Sequence, residues 1–265
     1  MTATDAKTGE HLAHYCHASR KDFRNAVVAA RSAFPGWRKT SPYLKGQILY
    51  RAAEMLESRS RTFAEEISAL TGAPLKEASA EVDASIDRLV YFAGWTDKYS
   101  QIFSSVNPVA SSHFNFTTPE PTGVVVALAP ESPGLLGLVT LIAQTILSGN
   151  TVVALASETA PLPAISLAEV FATSDIPGGV INILTGPHAE LVPWISSHMD
   201  VNAVIDGSGN SQTLEKLREG AGDNLKRVHS HALKNAEDWF SESACDPYRI
   251  LDTAEFKTAW HPIGV

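Results

Sequence analysis

Residues 121–155 read PTGVVVALAPESPGLLGLVTLIAQTILSGNTVVAL, and the fold class is decided there. Val124 to Ala129 is a continuous apolar run between Gly123 and Pro130, the pattern of a strand covered on both faces. Leu135 to Leu147 is apolar over a helical length and is closed by Gly149-Asn150. Thr151 to Leu155 is a second apolar strand. Strand, helix and strand in that order form a right-handed βαβ unit with parallel strands.

The alternation continues downstream. Leu162 to Thr173 reads as a helix, and Pro177-Gly178-Gly179 turns the chain into a strand from Val180 to Leu184. Ala189 to Ser197 is a helix, Ala203 to Ile205 a strand, Asn210 to Glu219 a helix and Leu225 to Val228 a strand. The expectation is an α/β fold: a Rossmann-like parallel sheet covered by helices on both sides. Upstream, Phe23, Val27, Ala30 and Phe34 recur at helical spacing until Pro35-Gly36, which should stop that helix. Further helices are expected over Leu44 to Ser58, Thr62 to Leu70 and Lys76 to Tyr99. In the last of these, Val82, Ile86, Leu89, Val90 and Ala93 should point inward. From Ile102 to Thr118 the alternation His113-Phe114-Asn115-Phe116-Thr117 suggests two short strands in a ribbon.

Composition narrows the function. A formal net charge of −8 with no basic stripe argues against nucleic acid as a partner. The two cysteines, Cys16 and Cys245, give no disulfide framework. The start, MTATDAKTGEH, has neither a basic nor an apolar leader segment, and Gly134 to Leu147 is too short to cross a bilayer. A cytoplasmic protein without a membrane partner is expected.

Several segments carry a specific resemblance. Glu120-Pro121-Thr122-Gly123-Val124-Val125, Ser148-Gly149-Asn150-Thr151-Val152-Val153, the run Pro177 to Gly186 (PGGVINILTG), Ile195-Ser196-Ser197-His198 and Asn224-Leu225-Lys226-Arg227-Val228 resemble, in order and spacing, the cofactor domain of the aldehyde dehydrogenase superfamily. Thr253 to Gly264 (TAEFKTAWHPIG) resembles the last strand of such enzymes. The resemblance divides the chain into an N-terminal helical part (1–101), an oligomerisation ribbon (102–120), a Rossmann-like domain (121–233), a short polar connector (234–252) and a C-terminal oligomerisation strand (253–265). The family's catalytic domain would lie where the connector is, so that domain is expected to be missing.

The resemblance also implies a site that has lost its chemistry. Aldehyde oxidation needs a thiolate nucleophile, a base, an oxyanion donor and a nicotinamide cofactor. No cysteine holds the nucleophile position, and Cys245, beside Asp246, is in the wrong surroundings for an activated thiol. Ser132 stands where the family has its oxyanion asparagine, and His231 where it has its glutamate base. Of the ribose-binding pair, Leu155 replaces the lysine while Glu158 is kept. The Gly-Ser helix start becomes Gly207-Ser208-Gly209-Asn210-Ser211-Gln212, where Gln212 would crowd a pyrophosphate. No catalytic residue, no bound cofactor and no metal are therefore expected, with a remnant pocket at Ser132, Glu158, Gly207 and Ser208. His11, His14, His17 and Cys16, at helix-like spacing, read as surface groups and not as ligands, and His229 and His231 as a polar strand end.

The retained ribbon and terminal strand are the family's assembly device. Phe114, Phe116, Phe256, Thr258 and Trp260 are the expected interface. The chain also resembles the degenerate second module of family-16 aldehyde dehydrogenases. The expected role is a non-catalytic subunit that takes NAD chemistry only from a full-length catalytic aldehyde dehydrogenase, in a hetero-oligomer or with self-association. The alternatives are a nucleotide- or small-ligand-binding module in the remnant pocket, and an enzyme with replaced chemistry at His231.

Overall fold

A computed structural model describes residues 1–264. The chain opens with a small antiparallel hairpin, β1 (Thr2–Thr4) and β2 (His11–His14). Four helices follow: α1 (Arg20–Lys39), α2 (Pro42–Glu57), α3 (Ser60–Thr71) and α4 (Leu75–Ala93). A short α5 (Tyr99–Phe103) leads to β3 (Ser105–Asn107) and β4 (His113–Pro121). The α/β body runs β5 (Val124–Leu128), α6 (Gly134–Ile146), β6 (Thr151–Leu155), α7 (Pro161–Ala172), β7 (Ile181–Leu184), α8 (His188–Ser197), β8 (Ala203–Asp206), α9 (Ser211–Ala221) and β9 (Arg227–Ser230). Three 3-10 turns, Ala236–Phe240, Glu242–Cys245 and Pro247–Thr253, lead to β10 (Ala254–Pro262).

The five central strands are all parallel, in the order β7-β6-β5-β8-β9. The period-2 alternation of β5 assigns the two faces. Val125 and Ala127 pack with α2, α3, α4, α6 and α7. Val124, Val126 and Leu128 pack with Phe23 and Val27 of α1, Leu191 and Ile195 of α8 and Leu217 of α9. Helix α6 is buried along its whole length, between the sheet and α4. Two of its polar residues are satisfied within the helix, since Thr140 and Thr145 donate to the carbonyls of Leu136 and Leu141 at 2.7 Å. Its start is capped from outside: the Glu81 carboxylate of α4 accepts from the N–H groups of Leu135 and Leu136.

The structure departs from the sequence reading in several places. Helix α1 does not stop at Pro35 but runs on to Lys39. A helical proline costs about 3 kcal/mol, and burial of Trp37 offsets it: its ring is buried and its Nε1 donates to the Ile146 carbonyl at 2.9 Å. Helix α4 ends at Ala93 and not at Tyr99, and Val90 faces solvent, one step off the buried stripe Val82, Leu89, Phe92 and Ala93. His11 and His14 lie on a strand, so the helix-like spacing of the histidines has no helix behind it. Strand β9 starts at Arg227, two residues late, because Leu225 takes the left-handed conformation (φ 57°) and breaks the extended run.

The connector is the largest correction. Residues 234–252 are not a bare polar link. Trp239, Ala244 and Ile250 are fully buried in the core beneath α6. Arg88 donates to the Trp239 carbonyl at 2.8 Å. Gln144 Nε2 donates to His231 Nδ1 at 2.8 Å, so the opposite ring nitrogen carries the proton given to Asp252 Oδ2 at 2.7 Å. His229 reaches the other Asp252 oxygen at 3.3 Å, and Arg249 donates to the His231 carbonyl. At the far end, Arg227 and Glu255 form a bidentate pair at 2.8 and 2.9 Å that ties β9 to β10.

Strand β10 pairs antiparallel with β4 from Ala254↔Pro121 to Pro262↔His113, and β3 covers the other edge of β4. Because directly opposed residues share a face, the register places Phe256, Thr258 and Trp260 with Asn115 and Thr117. Phe114 and Phe116 lie on the reverse face with Val106. The aromatics thus form two patches, one on each side of the flap.

Two outcomes follow from the connector. Trp239→Ala should cost about 3–5 kcal/mol, measured by urea denaturation. Burial pulls the His231 imidazole below its ordinary 6.5, and the Asp252 hydrogen bond only partly opposes this. The unfolded chain therefore binds a proton near 6.5 that the folded chain binds only at lower pH, so stability is full above that value and is lost as pH falls through it. Burial also opposes the Asp252 charge, but His231, His229 and Arg249 outweigh it and hold that carboxyl below 3.8, so its share is lost only in stronger acid. Thermal melts between about pH 7.5 and 5.5 should show Tm falling, with a flatter profile in His231→Gln.

Candidate functional site

In a parallel sheet the binding crevice lies beyond the carboxyl ends of the strands. Here that crevice is a cleft of about 340 Å³ lined by Glu131, Glu158, Thr159, His188, Ser208 and Asn210, with Ala189 and Thr213 completing the wall. Four loops build it: those after β5, β6, β7 and β8.

Each loop supplies its own partner. After β6, the Ser157 hydroxyl and the N–H groups of Glu158 and Thr159 form a donor cradle. The Glu131 carboxylate occupies it, accepting at 3.0, 3.3 and 3.0 Å respectively. After β7, His188 starts α8 and gives its N–H to Glu158 Oε1 at 2.8 Å, while its Nε2 donates to the Ala156 carbonyl at 2.8 Å. After β8, Asp206 Oδ1 accepts from the Ser208 N–H and hydroxyl. Asn210 caps α9, its amide oxygen accepting from the N–H groups of Gln212 and Thr213 at 3.0 and 3.1 Å. No lysine or arginine lines the cleft.

The remnant-pocket residues are partly gathered. Glu158 and Ser208 line the cleft together. Ser132 is exposed and outside its wall, which takes the preceding Glu131 instead. Gly207 is buried beneath; a β-carbon there would sit 2.9 Å from both the Leu128 carbonyl and a Leu141 methyl, so the glycine serves packing. Gln212 is exposed and does not fill the crevice; Asn210 takes the helix-start donors instead. Leu155 is buried in the core of the sheet.

The remaining candidates lie elsewhere. His231 is 2% exposed with both ring nitrogens taken by Gln144 and Asp252, which leaves no face for a substrate. Cys245 lies in a separate cleft with Arg88 and Tyr91. Burial pushes its thiol up, against the pull of Arg88, the opposite of the shift that activates a thiol. His17 pairs with Glu190 at 2.9 Å, and the N-terminal histidines form no three-ligand cluster among the described residues. Glu131, His188 and Asn210 escaped the sequence reading. Of these only Asn210 carried a local signal, as an asparagine directly before a helix.

Among the described residues, no helix is long and apolar enough to cross a membrane. The model of the aldehyde dehydrogenase family matches residues 1–232. The chain is 32% identical over 222 residues to the D-glyceraldehyde dehydrogenase (NADP(+)) of Thermoplasma acidophilum, covering 83% of this chain and 44% of that protein. It is 34% identical over 227 residues to aldehyde dehydrogenase 1A1 of Rattus norvegicus, with coverage of 83% and 44%. The NAD+ complex of an aldehyde dehydrogenase from Bacillus cereus superposes with a TM-score of 0.82 at 26% identity, over 88% of this chain and 47% of that one. The chain thus spans less than half the length of these relatives, and the matched part is the half described above. On that match the chain belongs to the aldehyde dehydrogenase family.

Proposed function

We propose that this chain is a non-catalytic member of its family, a subunit that associates through its three-stranded flap with a full-length catalytic aldehyde dehydrogenase. The observation that carries this reading is Glu131. Its carboxylate takes the donors after β6, and Asn210 takes those at the start of α9. Helix starts and loop N–H groups are what a dinucleotide's phosphates require. With those donors occupied by the chain's own groups, and two carboxylates with no lysine or arginine on the wall, the cleft repels a pyrophosphate. The nicotinamide cofactors named for the relatives do not fit it.

Chemistry is lacking for a second reason. Neither Cys245 nor His231 is placed to act, and between Ser230 and Ala254 the chain passes through packed 3-10 turns, not through a second domain. What supports association is the flap. Phe114, Phe256 and Trp260 are about half exposed, and the outer edges of β3 and β10 are unpaired among the described residues. Open edges flanked by aromatics favour strand or face pairing with another chain.

The purified chain should form no NADH or NADPH from any aldehyde, and Cys245→Ala should behave identically; turnover that disappears in that variant contradicts the proposal. Co-expression with a tagged full-length aldehyde dehydrogenase of the same organism should yield a mixed oligomer by light scattering. The pair Phe256→Ala and Trp260→Ala should weaken it by about tenfold or more while leaving the far-UV circular dichroism unchanged. Capture that is unaffected by both changes would remove the flap from the account.

A further inference from the structure

Helix α8 borders a second cleft, at its end away from His188. This cleft of about 320 Å³ lies between α8 and α1, and its wall includes Arg20, Phe23, Arg24, Trp194, His198 and Met199. The volume is that of a small-molecule site. No aspartate or glutamate lines it, in a chain whose formal net charge is −8.

Two independent observations point to an anion. Arg20 and Arg24 are four residues apart on α1, so their charges share one face of the helix and repel. Among the described residues neither is in an ion pair. The acid between them, Asp22, has its carboxylate on the N–H and hydroxyl of Ser19. A bound anion would relieve the repulsion that the chain leaves standing. The second observation is the seat of Arg20: its guanidinium carbon lies 4.0 Å from the centroid of the Trp194 ring. A guanidinium held on an aromatic face keeps its planar fork of N–H donors for an oxyanion, and the ordering is made before the ligand arrives. The rest of the wall suits a planar apolar body. Phe23 is buried with His198 edge-on to it at 5.6 Å, and Trp194 and Met199 are exposed. Burial pulls the His198 imidazole below its ordinary 6.5, so it adds no charge at neutral pH.

We propose that this cleft binds a small aromatic oxyanion, a planar ring that carries a carboxylate or a phosphate. Arg20 and Arg24 take the oxyanion, and Trp194, Met199 and Phe23 take the ring. The site stands apart from the assembly reading, since it needs no partner chain.

The probes are 2-naphthoate and 2-naphthyl phosphate, titrated into the full chain by calorimetry; the tighter of the two names the oxyanion. It should bind one per chain and shift the indole N–H resonance of Trp194, identified by its loss in Trp194→Phe. Arg20→Gln and Arg24→Gln lie on an exposed face and should fold normally, and each should weaken binding by about tenfold. Arg218→Gln, on α9, should change nothing. Uncharged 2-naphthamide and inorganic phosphate, each lacking half of the ligand, should both bind at least about tenfold more weakly. Absence of binding by both aromatic anions at millimolar concentration overturns the proposal. So does equal binding of 2-naphthamide or of inorganic phosphate, or binding unchanged in both Arg20→Gln and Arg24→Gln.

Discussion

Helix α6 is the constraint on which the rest of the structure is built. It has no solvent face, so every neighbour must either pack against it or satisfy one of its polar groups. The sheet lies under it, α4 lies over it, and Glu81 of α4 caps its first turn. Trp37 of α1 bonds its last turn, and Gln144 reaches out of it to His231. A helix this apolar would be left with an open flank if residues 234–252 were a loose linker. Instead those residues fold back, and Trp239, Ala244 and Ile250 close the flank. The 3-10 turns thus complete the core of the α/β body, and the pairs His231–Asp252 and Arg227–Glu255 fix both ends of the closure.

Functional consequences follow at the carboxyl edge of the sheet. The backbone there offers the donors that parallel sheets offer to phosphates. In this chain those donors are satisfied from within, by Glu131 after β6 and by Asn210 before α9. The result is a cleft whose loop and helix-start donors are already taken by the chain's own side chains. The proposed function rests on the contrast between this internally saturated cleft and an open, aromatic flap.

Much of this was legible in the sequence, and the remainder has physical reasons. Strand β6 was readable to the residue, Thr151 to Leu155, because a strand buried on both faces leaves an unbroken apolar run. The N-terminal hairpin was not, since its exposed residues carry no period. Pro35 misled because a buried tryptophan two residues later outweighs a local penalty. The connector misled because Trp239, Ala244 and Ile250 match neither period 2 nor period 3.6, and 3-10 turns have no strong pattern. The two-sided distribution of the flap aromatics depends on the β4–β10 register, which joins residues far apart in the chain. At the site, Glu158 and Ser208 were identified by resemblance, whereas Glu131 and His188 gain their meaning only when the loops after β5 and β7 meet the loop after β6.

The central claim is that the chain's own side chains hold the donors a dinucleotide would need. Isothermal titration of the purified chain with NAD+ and NADP+ tests it most directly. A Kd in the millimolar range or weaker, where binding contributes no more than about 4 kcal/mol, is the result this account predicts. Micromolar affinity for either cofactor would contradict it.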